Sequence, residues 1–391
     1  MSTLKSRKKT HRVDQRPPFD TIALLLQGGG ALGAYQGGVY QGLAEAGIHP
    51  DWVAGISIGA INAAIIAGNA PEERVARLRA FWEHISEPPF GPWAAGLAPL
   101  PVKGDMARDL LNQLSASTAL IQGAPGFFTP RLPVPFFQPP GSLEAISYYD
   151  TAPLRATLEQ FVDFDRLNRN ETRCSVGAVN VLSGNFIYFD NETCRIGPEH
   201  VMASGALPPG FPPIEINGQY YWDGALVSNT PLNWVVDTKP RRDTLAFQVD
   251  LWSARGELPR NLTEVAVRQK EIQFSSRTRA STNAFKDAQR LRNAAAKLLS
   301  ELPKELKDSK EARLIGSAAE RKVYRIVHLI YRARRYEGHS KDYEFSRLSM
   351  EEHWQAGYND TIRTLRMPEA LSRPENDEGV AVFDIARDGM D

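Results

Sequence analysis

Residues 21–27, TIALLLQ, form an unbroken apolar run that ends at three glycines, the pattern of a strand buried on both faces. Leu32, Tyr35, Val39, Leu43 and Ala46 then recur at helical spacing and Gly47 closes them, so a helix is expected over 31–46. DWVAGI (51–56) reads as a second short strand. SIGAINAAIIAG (57–68) is apolar all round, which predicts a fully buried helix. Pro71-Glu72-Glu73 opens another helix, with a proline and two acids in its first turn. Strand, glycine loop, helix, strand, helix is the opening of a parallel α/β sheet.

The rhythm breaks at 88–140, which holds 11 of the chain's 27 prolines together with Phe127, Phe128, Phe136 and Phe137. A helix is expected only around 104–115. An ordered loop this long inside a compact domain usually has a function, such as a lid. The α/β pattern resumes with a helix at 151–162, strands at 173–182 and 185–190, a short helix at 198–206, and strands at 219–223 and 243–251. Residues 260–299 read as a basic amphipathic helical region packed through Phe285, Ala288, Leu291, Ala295 and Leu298. RKVYRIVHLIY (321–331) is a late strand, and Ser349 with Glu352 forms a capping box before a helix reaching about 366. This divides the chain into a disordered basic arm (1–20), an α/β unit (21–255, with the 88–140 insertion), a basic, mostly helical extension (256–366) and a disordered acidic tail (367–391).

Composition narrows the class. Hydrophobic residues make up 42% and charged residues 24%, an ordinary globular balance. Lys+Arg and Asp+Glu are both 46, which disfavours a dedicated nucleic-acid binder. The neutrality is uneven: residues 260–344 carry 20 basic and 11 acidic side chains, and the residues before them are acidic on balance. That basic quarter can face the acidic body or an anionic membrane surface. Cys174 and Cys194 flank Ser183-Gly184 almost symmetrically, a hairpin geometry, but two cysteines in a chain this long suit reduced thiols. No stretch reads as a membrane span or a signal-peptide core. The expected location is the cytoplasm, with peripheral contact at the inner membrane surface left open.

Three motifs carry chemistry. Gly28-Gly29-Gly30-Ala31-Leu32-Gly33 follows a strand and opens a helix, so its N–H groups can hold an anion. The spacing also matches a dinucleotide fingerprint. That reading wants an acid at the end of the second strand, whereas Asp51 stands at its start. Gly55-Ile56-Ser57-Ile58-Gly59 lies between a strand and a buried helix, the setting of a nucleophile elbow. Asp223-Gly224 closes the strand GQYYW, where an acid can point into a ligand crevice. Beside the other two motifs, Asp223 is the best base candidate. A Ser-His-Asp triad would draw on His328, His339 or His353, none with a distinctive context. There is no H-E-x-x-H, zinc-spaced cysteine pair or calcium loop, so no metal or cofactor is expected.

LLLQGGGALGAYQGGV, WVAGISIGAINAA and ASGALPPGFPPIEINGQYYWDGALVSNTPL together resemble the patatin-like phospholipases over residues 21–237. The resemblance implies a three-layer α/β/α fold and hydrolysis of lipid acyl esters. It also implies a catalytic dyad of nucleophile Ser57 and general base Asp223, with an oxyanion hole at Gly28, Gly29 and Gly30. Gly33, Gly55, Gly59 and Gly224 are the remaining motif glycines, and Ala225 stands where many members carry a second glycine. A thioesterase or acyltransferase would use the same dyad. A catalytically silent module would keep the fold without reacting at Ser57.

Overall fold

A computed structural model describes residues 10–87, 105–275, 278–333, 337–376 and 378–385. Lys5, Arg7, Lys8 and Lys9 of the basic arm, residues 88–104 of the insertion, and Arg277 lie outside the described residues.

β1 (Thr21–Leu26) is buried along its whole length. Successive side chains of a strand alternate between faces. Accordingly Ile22, Leu24 and Leu26 join one core, while Ala23 and Leu25 join another. In chain order α1 (Ala34–Glu45), β2 (Trp52–Ile56), α2 (Ile58–Ala67) and α3 (Arg74–Ile85) follow, and then α4 (Asp105–Gln122) and the two-residue strands β3 (Thr129–Pro130) and β4 (Tyr149–Asp150). Next come α5 (Ala152–Phe161), α6 (Phe164–Leu167), β5 (Arg173–Asn180), β6 (Phe186–Asp190), α7 (Pro198–Ser204), β7 (Ile214–Ile216), β8 (Gln219–Asp223) and α8 (Leu232–Asp237). The remainder is β9 (Thr244–Asp250), α9 (Leu262–Phe274), α10 (Thr278–Glu301), α11 (Lys304–Lys307), α12 (Lys310–Ala318), β10 (Tyr324–Ile330), α13 (Arg347–Leu365) and β11 (Val380–Asp384).

The central sheet runs β11-β10-β9-β1-β2-β5-β8-β7, and β6 also pairs with β5. Every pairing from β11 to β5 is parallel. Those of β6 and β8 with β5, and of β7 with β8, are antiparallel. The larger core collects Tyr35, Ile61, Phe81, Leu158 and Trp354 from α1, α2, α3, α5 and α13. On the opposite face lie Leu232, Val235 and Val236 of α8 and Phe285 of α10. Helices thus cover both faces of a mainly parallel sheet, giving α/β/α layering.

Several expectations change. Residues 10–20 are not a free arm: Phe19 is buried, the Val13 N–H donates to the Ala46 carbonyl, and Arg16 pairs with Asp51. Residues beyond 255 are not a separate helical extension, because β10 and β11 extend the same sheet. β11 lies in the stretch expected to be a disordered acidic tail; its VAVF core outweighs the surrounding acids. α13 starts a turn before the expected capping box, with Ser346 as the cap accepting the Ser349 N–H. On α10, Phe285 packs inward, but Leu291 and Leu298 are exposed; Gln289 is buried and Arg292 pairs with Asp237. The turn at Gly184 has φ +70° and joins β5 to β6 as expected, while Cys174 (buried) and Cys194 (exposed) are free thiols.

The insertion divides in two. Phe127 and Phe128 enter the main core against Phe211 and Phe345. Phe136 and Phe137 instead point outward, 82% and 80% exposed. Among the described residues, no helix is long and apolar enough to cross a membrane.

Candidate active site

β2 ends at Ile56 and α2 begins at Ile58, so the chain reverses at Ser57 alone. Ser57 takes φ 56° and ψ −125°. A side chain held in such a region costs about 1–3 kcal/mol. The flanking glycines make the turn possible. A Cβ on Gly55 would lie 2.1 Å from the Gly59 carbonyl oxygen, and one on Gly59 would lie 2.2 Å from that of Leu26. The Ser57 N–H donates to Ser204 Oγ (3.0 Å), which donates to the Gly177 carbonyl (2.6 Å). Replacing Ser57 by glycine therefore relieves strain that Ser57→Ala retains. In thermal or urea unfolding, Ser57→Gly is expected to be more stable than Ser57→Ala by about 1 kcal/mol; equal stabilities would show that this backbone is unstrained.

Register on β5 explains how an acid 166 positions away reaches this serine. β2 pairs with β5 in parallel and ends at Ile56 opposite Gly177. β8 pairs with β5 antiparallel and ends at Asp223 opposite Ala178. β6 holds Ser175–Val179 from the other edge, so β2 and β8 share one edge of β5 and approach head-on. Their carboxyl ends meet at neighbouring residues of β5. Gly224 permits the meeting, since a Cβ there would lie 2.7 Å from the Gly177 carbonyl oxygen and 3.1 Å from Ile56 Cγ2.

Asp223 is 1% exposed and accepts the Ala225 N–H at 2.8 Å. Burial pushes its carboxyl up to about 7, and hydrogen bonding from the Ser57 side chain and the Ala225 N–H pulls the other way. A carboxyl poised near neutrality can take a proton at physiological pH, which an ordinary aspartate does poorly.

The glycine loop lies against Ser57: a Cβ on Gly28 would be 3.0 Å from Ser57 Cβ. Its amides are not equivalent. The Gly28 N–H donates to Asn229 Oδ1 at 2.9 Å, and Asn229 Nδ2 donates back to the Gly28 carbonyl at 3.1 Å. Gly28 is thus engaged internally, contrary to its expected place among the oxyanion donors. The N–H groups of Gly29 and Gly30 have no acceptor among the described residues. Trp252 Nε1 also donates to the Gly28 carbonyl (3.0 Å), and Gln27 Oε1 accepts the N–H groups of Leu251 and Trp252. Gly33 serves packing, because a Cβ there would meet Ile58 Cγ1 at 2.5 Å and Trp82 Cζ2 at 2.9 Å. Asn229 and Ser204 both lie in the quoted motif stretch. Neither stands out in the sequence, because an amide or hydroxyl that orders backbone looks like any other loop polar residue.

Asp51 accepts the Ile22 N–H and pairs with Arg16 at the amino-terminal end of β2. It sits at the opposite end of the strand from the glycine loop and cannot serve a nucleotide ribose there. The three histidines of a possible triad are elsewhere. His353 faces Glu337 at 3.3 Å, while His328 and His339 line a cavity of about 1310 Å³. That cavity opens beside Trp252, Arg268 and Lys341, and neither Ser57 nor Asp223 lines it.

A mainly parallel sheet with helices on both faces, a serine of positive φ at a strand–helix turn and a buried carboxyl beside it place the chain among the layered α/β proteins. The sequence matches the patatin-like phospholipase family profile over residues 24–235, and a second profile, described as patatin phospholipase, over 272–377. The chain belongs to the patatin-like phospholipase family. Lysophospholipase nte1 of Aspergillus terreus is 47% identical over 60 residues, which is 15% of this chain and 4% of that protein's length. Among solved structures, VipD from Legionella pneumophila is 15% identical with a TM-score of 0.40, covering 93% of this chain and 71% of that one. ExoU of Pseudomonas aeruginosa, solved with SpcU, is 15% identical with a TM-score of 0.26, covering 81% and 74%.

Proposed function

We propose that this protein is a lipid acyl-ester hydrolase of the phospholipase A type that works through an acyl-enzyme on Ser57. Ser57 Oγ attacks the ester carbonyl carbon while Asp223 accepts its proton. The Gly29 and Gly30 N–H groups hold the tetrahedral oxyanion, where one such donor is worth about 3–4 kcal/mol in studied enzymes. Collapse releases the alcohol or lysolipid, which takes the proton back from Asp223. Water, activated by the same carboxylate, then cleaves the acyl-enzyme to the fatty acid and restores Ser57. A thiol ester would enter the same cycle, and an acceptor alcohol replacing water would make the product an ester.

The observation that carries this reading is the head-on meeting of β2 and β8, which sets a strained serine against a carboxyl that burial holds near neutrality. A fluorophosphonate probe tests it. Wild type is expected to label at Ser57 and to release fatty acid from phosphatidylcholine vesicles, while Ser57→Ala does neither. Unchanged labelling of Ser57→Ala would refute the assignment.

The exposed loop of the insertion supports a lipid surface as the place of work. Leu132, Phe136 and Phe137 are 80% or more exposed and Val134 is also open to solvent, as are Leu143, Ile146 and Tyr148 in the stretch just after the insertion. The Tyr148 and Tyr149 N–H groups bond to the carbonyls of Pro209 and Gly210, and the Asp223 N–H bonds to Ala206 in the same 206–211 segment. The chain leaving this apolar loop is therefore bonded to the same segment as the backbone of Asp223. Side chains of this kind gain roughly 1.5–3 kcal/mol each on leaving water. Phe136→Ser with Phe137→Ser is expected to cut vesicle binding and vesicle hydrolysis at least about tenfold. Turnover of a dissolved short-chain ester and the Tm should stay near wild type. Equal losses on both substrates would show that the rings do not serve the interface.

A further inference from the structure

The outer wall of the glycine loop comes from a segment some 300 residues further along the chain. The Asp342 carbonyl oxygen accepts the Ala31 N–H at 2.8 Å, and a Cβ on Gly30 would lie 2.0 Å from the same oxygen. Gly30 has φ +55°, so its backbone already turns in a way that favours glycine. The loop and this carbonyl therefore fit together closely, and a shift of one displaces the other.

Two neighbouring residues of α9 hold the 339–343 loop in place with opposite charges. Lys270 Nζ pairs with Asp342 Oδ1 at 2.6 Å, with the two side chains 20% and 19% exposed. Glu271 pairs with Lys341, whose side chain is 4% exposed, at 2.7 Å. Lys270 also donates to the His339 carbonyl at 3.4 Å and lies 5.1 Å from the centre of the Tyr343 ring. Glu271 is fixed in turn by Arg268 (3.1 Å), which donates to the Ser253 and Ala254 carbonyls just after Trp252. The alternation of Lys-Glu on the helix against Asp-Lys on the loop sets the register, because a one-residue slip would bring like charges together.

We propose that Lys270 is a positioning residue for the oxyanion loop. Its ion pair with Asp342 seats that residue's carbonyl against Ala31 and Gly30, and so fixes the direction of the free Gly29 and Gly30 N–H groups. The inference rests on the reading of those two amides as the oxyanion donors. Lys270 itself touches no reacting atom.

Two readouts on the full-length protein test it. The first is turnover of a dissolved short-chain p-nitrophenyl ester. Lys270→Met is expected to lower kcat about tenfold with KM within about twofold, since misaimed donors weaken the transition state more than the ground state. Lys270→Arg should recover kcat to within about threefold, and the exchanged pair Lys270→Asp with Asp342→Lys should recover part of it. The second readout, amide hydrogen exchange of the peptide spanning Ala31, does not depend on activity. Lys270→Met should accelerate exchange there at least about tenfold while β1 and β2 stay protected. Wild-type kcat and exchange in Lys270→Met would overturn the proposal, as would a loss of kcat that Lys270→Arg fails to restore or that tracks a fall in Tm. Faster exchange at Ala31 in a protein whose wild type hydrolyses no ester would support the clamp and refute the oxyanion reading instead.

Discussion

Ser57→Ala and Asp223→Asn are each expected to lower kcat/KM on a short-chain ester by at least about a thousandfold, and the double variant by little more than either alone. In the proposed mechanism the two groups act in one step: without the carboxylate Ser57 Oγ keeps its proton, and without Oγ there is nothing to deprotonate. The amide introduced by Asp223→Asn keeps the shape of the carboxyl and its acceptor for the Ala225 N–H, but it cannot take a proton. Circular dichroism and Tm should remain close to wild type for both single variants. Near-wild-type turnover in either folded variant would remove that residue from the mechanism, and additive losses would mean that the two act separately.

The largest expected effect on stability lies away from the chemistry, where α1 and α13 cross. A Cβ on Gly38 would fall 1.8 Å from the Trp354 carbonyl oxygen, and one on Gly357 would fall 2.0 Å from that of Tyr35. Two helix backbones in such contact leave no flexible side chain to move aside. Gly38→Val should therefore destabilise the protein by about 3–5 kcal/mol, seen as a lower urea midpoint and Tm. Gly205→Ala is the control. Its Cβ would meet nothing closer than 3.8 Å and its φ is ordinary, so its effect should stay within about 1 kcal/mol. An unchanged urea midpoint in Gly38→Val would show that α13 is not seated on α1 in this way.

Much of the architecture is legible in local pattern. The run TIALLLQ, the all-apolar SIGAINAAIIAG and the two Gly-flanked turns carry their own explanation, because burial on both faces and absence of Cβ atoms leave marks in the sequence. Serine and acid are also readable from their places at strand ends. What brings them together is not, since it depends on β2 and β8 ending at adjacent residues of β5, and register across long loops has no local signature. The same limit applies to Asn229, whose side chain accepts the Gly28 N–H, and to Asp342, whose carbonyl oxygen accepts the Ala31 N–H. A backbone oxygen is identical in every residue type. β11 is hidden for another reason: five residues, VAVFD, are too few to stand out among acids until β10 offers them an edge.

The central claim is that burial makes Asp223 the base for Ser57, and the pH dependence of acylation tests it most directly. Stopped-flow measurement of the first turnover of a p-nitrophenyl ester should give a rate that rises tenfold per pH unit below about 7 and is flat above it, because only the ionised carboxylate can accept the serine proton. Asp223→Asn should abolish that titration along with the rate. A midpoint near 4 would contradict the effect of burial on Asp223, and a midpoint near 7 that survives in Asp223→Asn would assign the proton to another group.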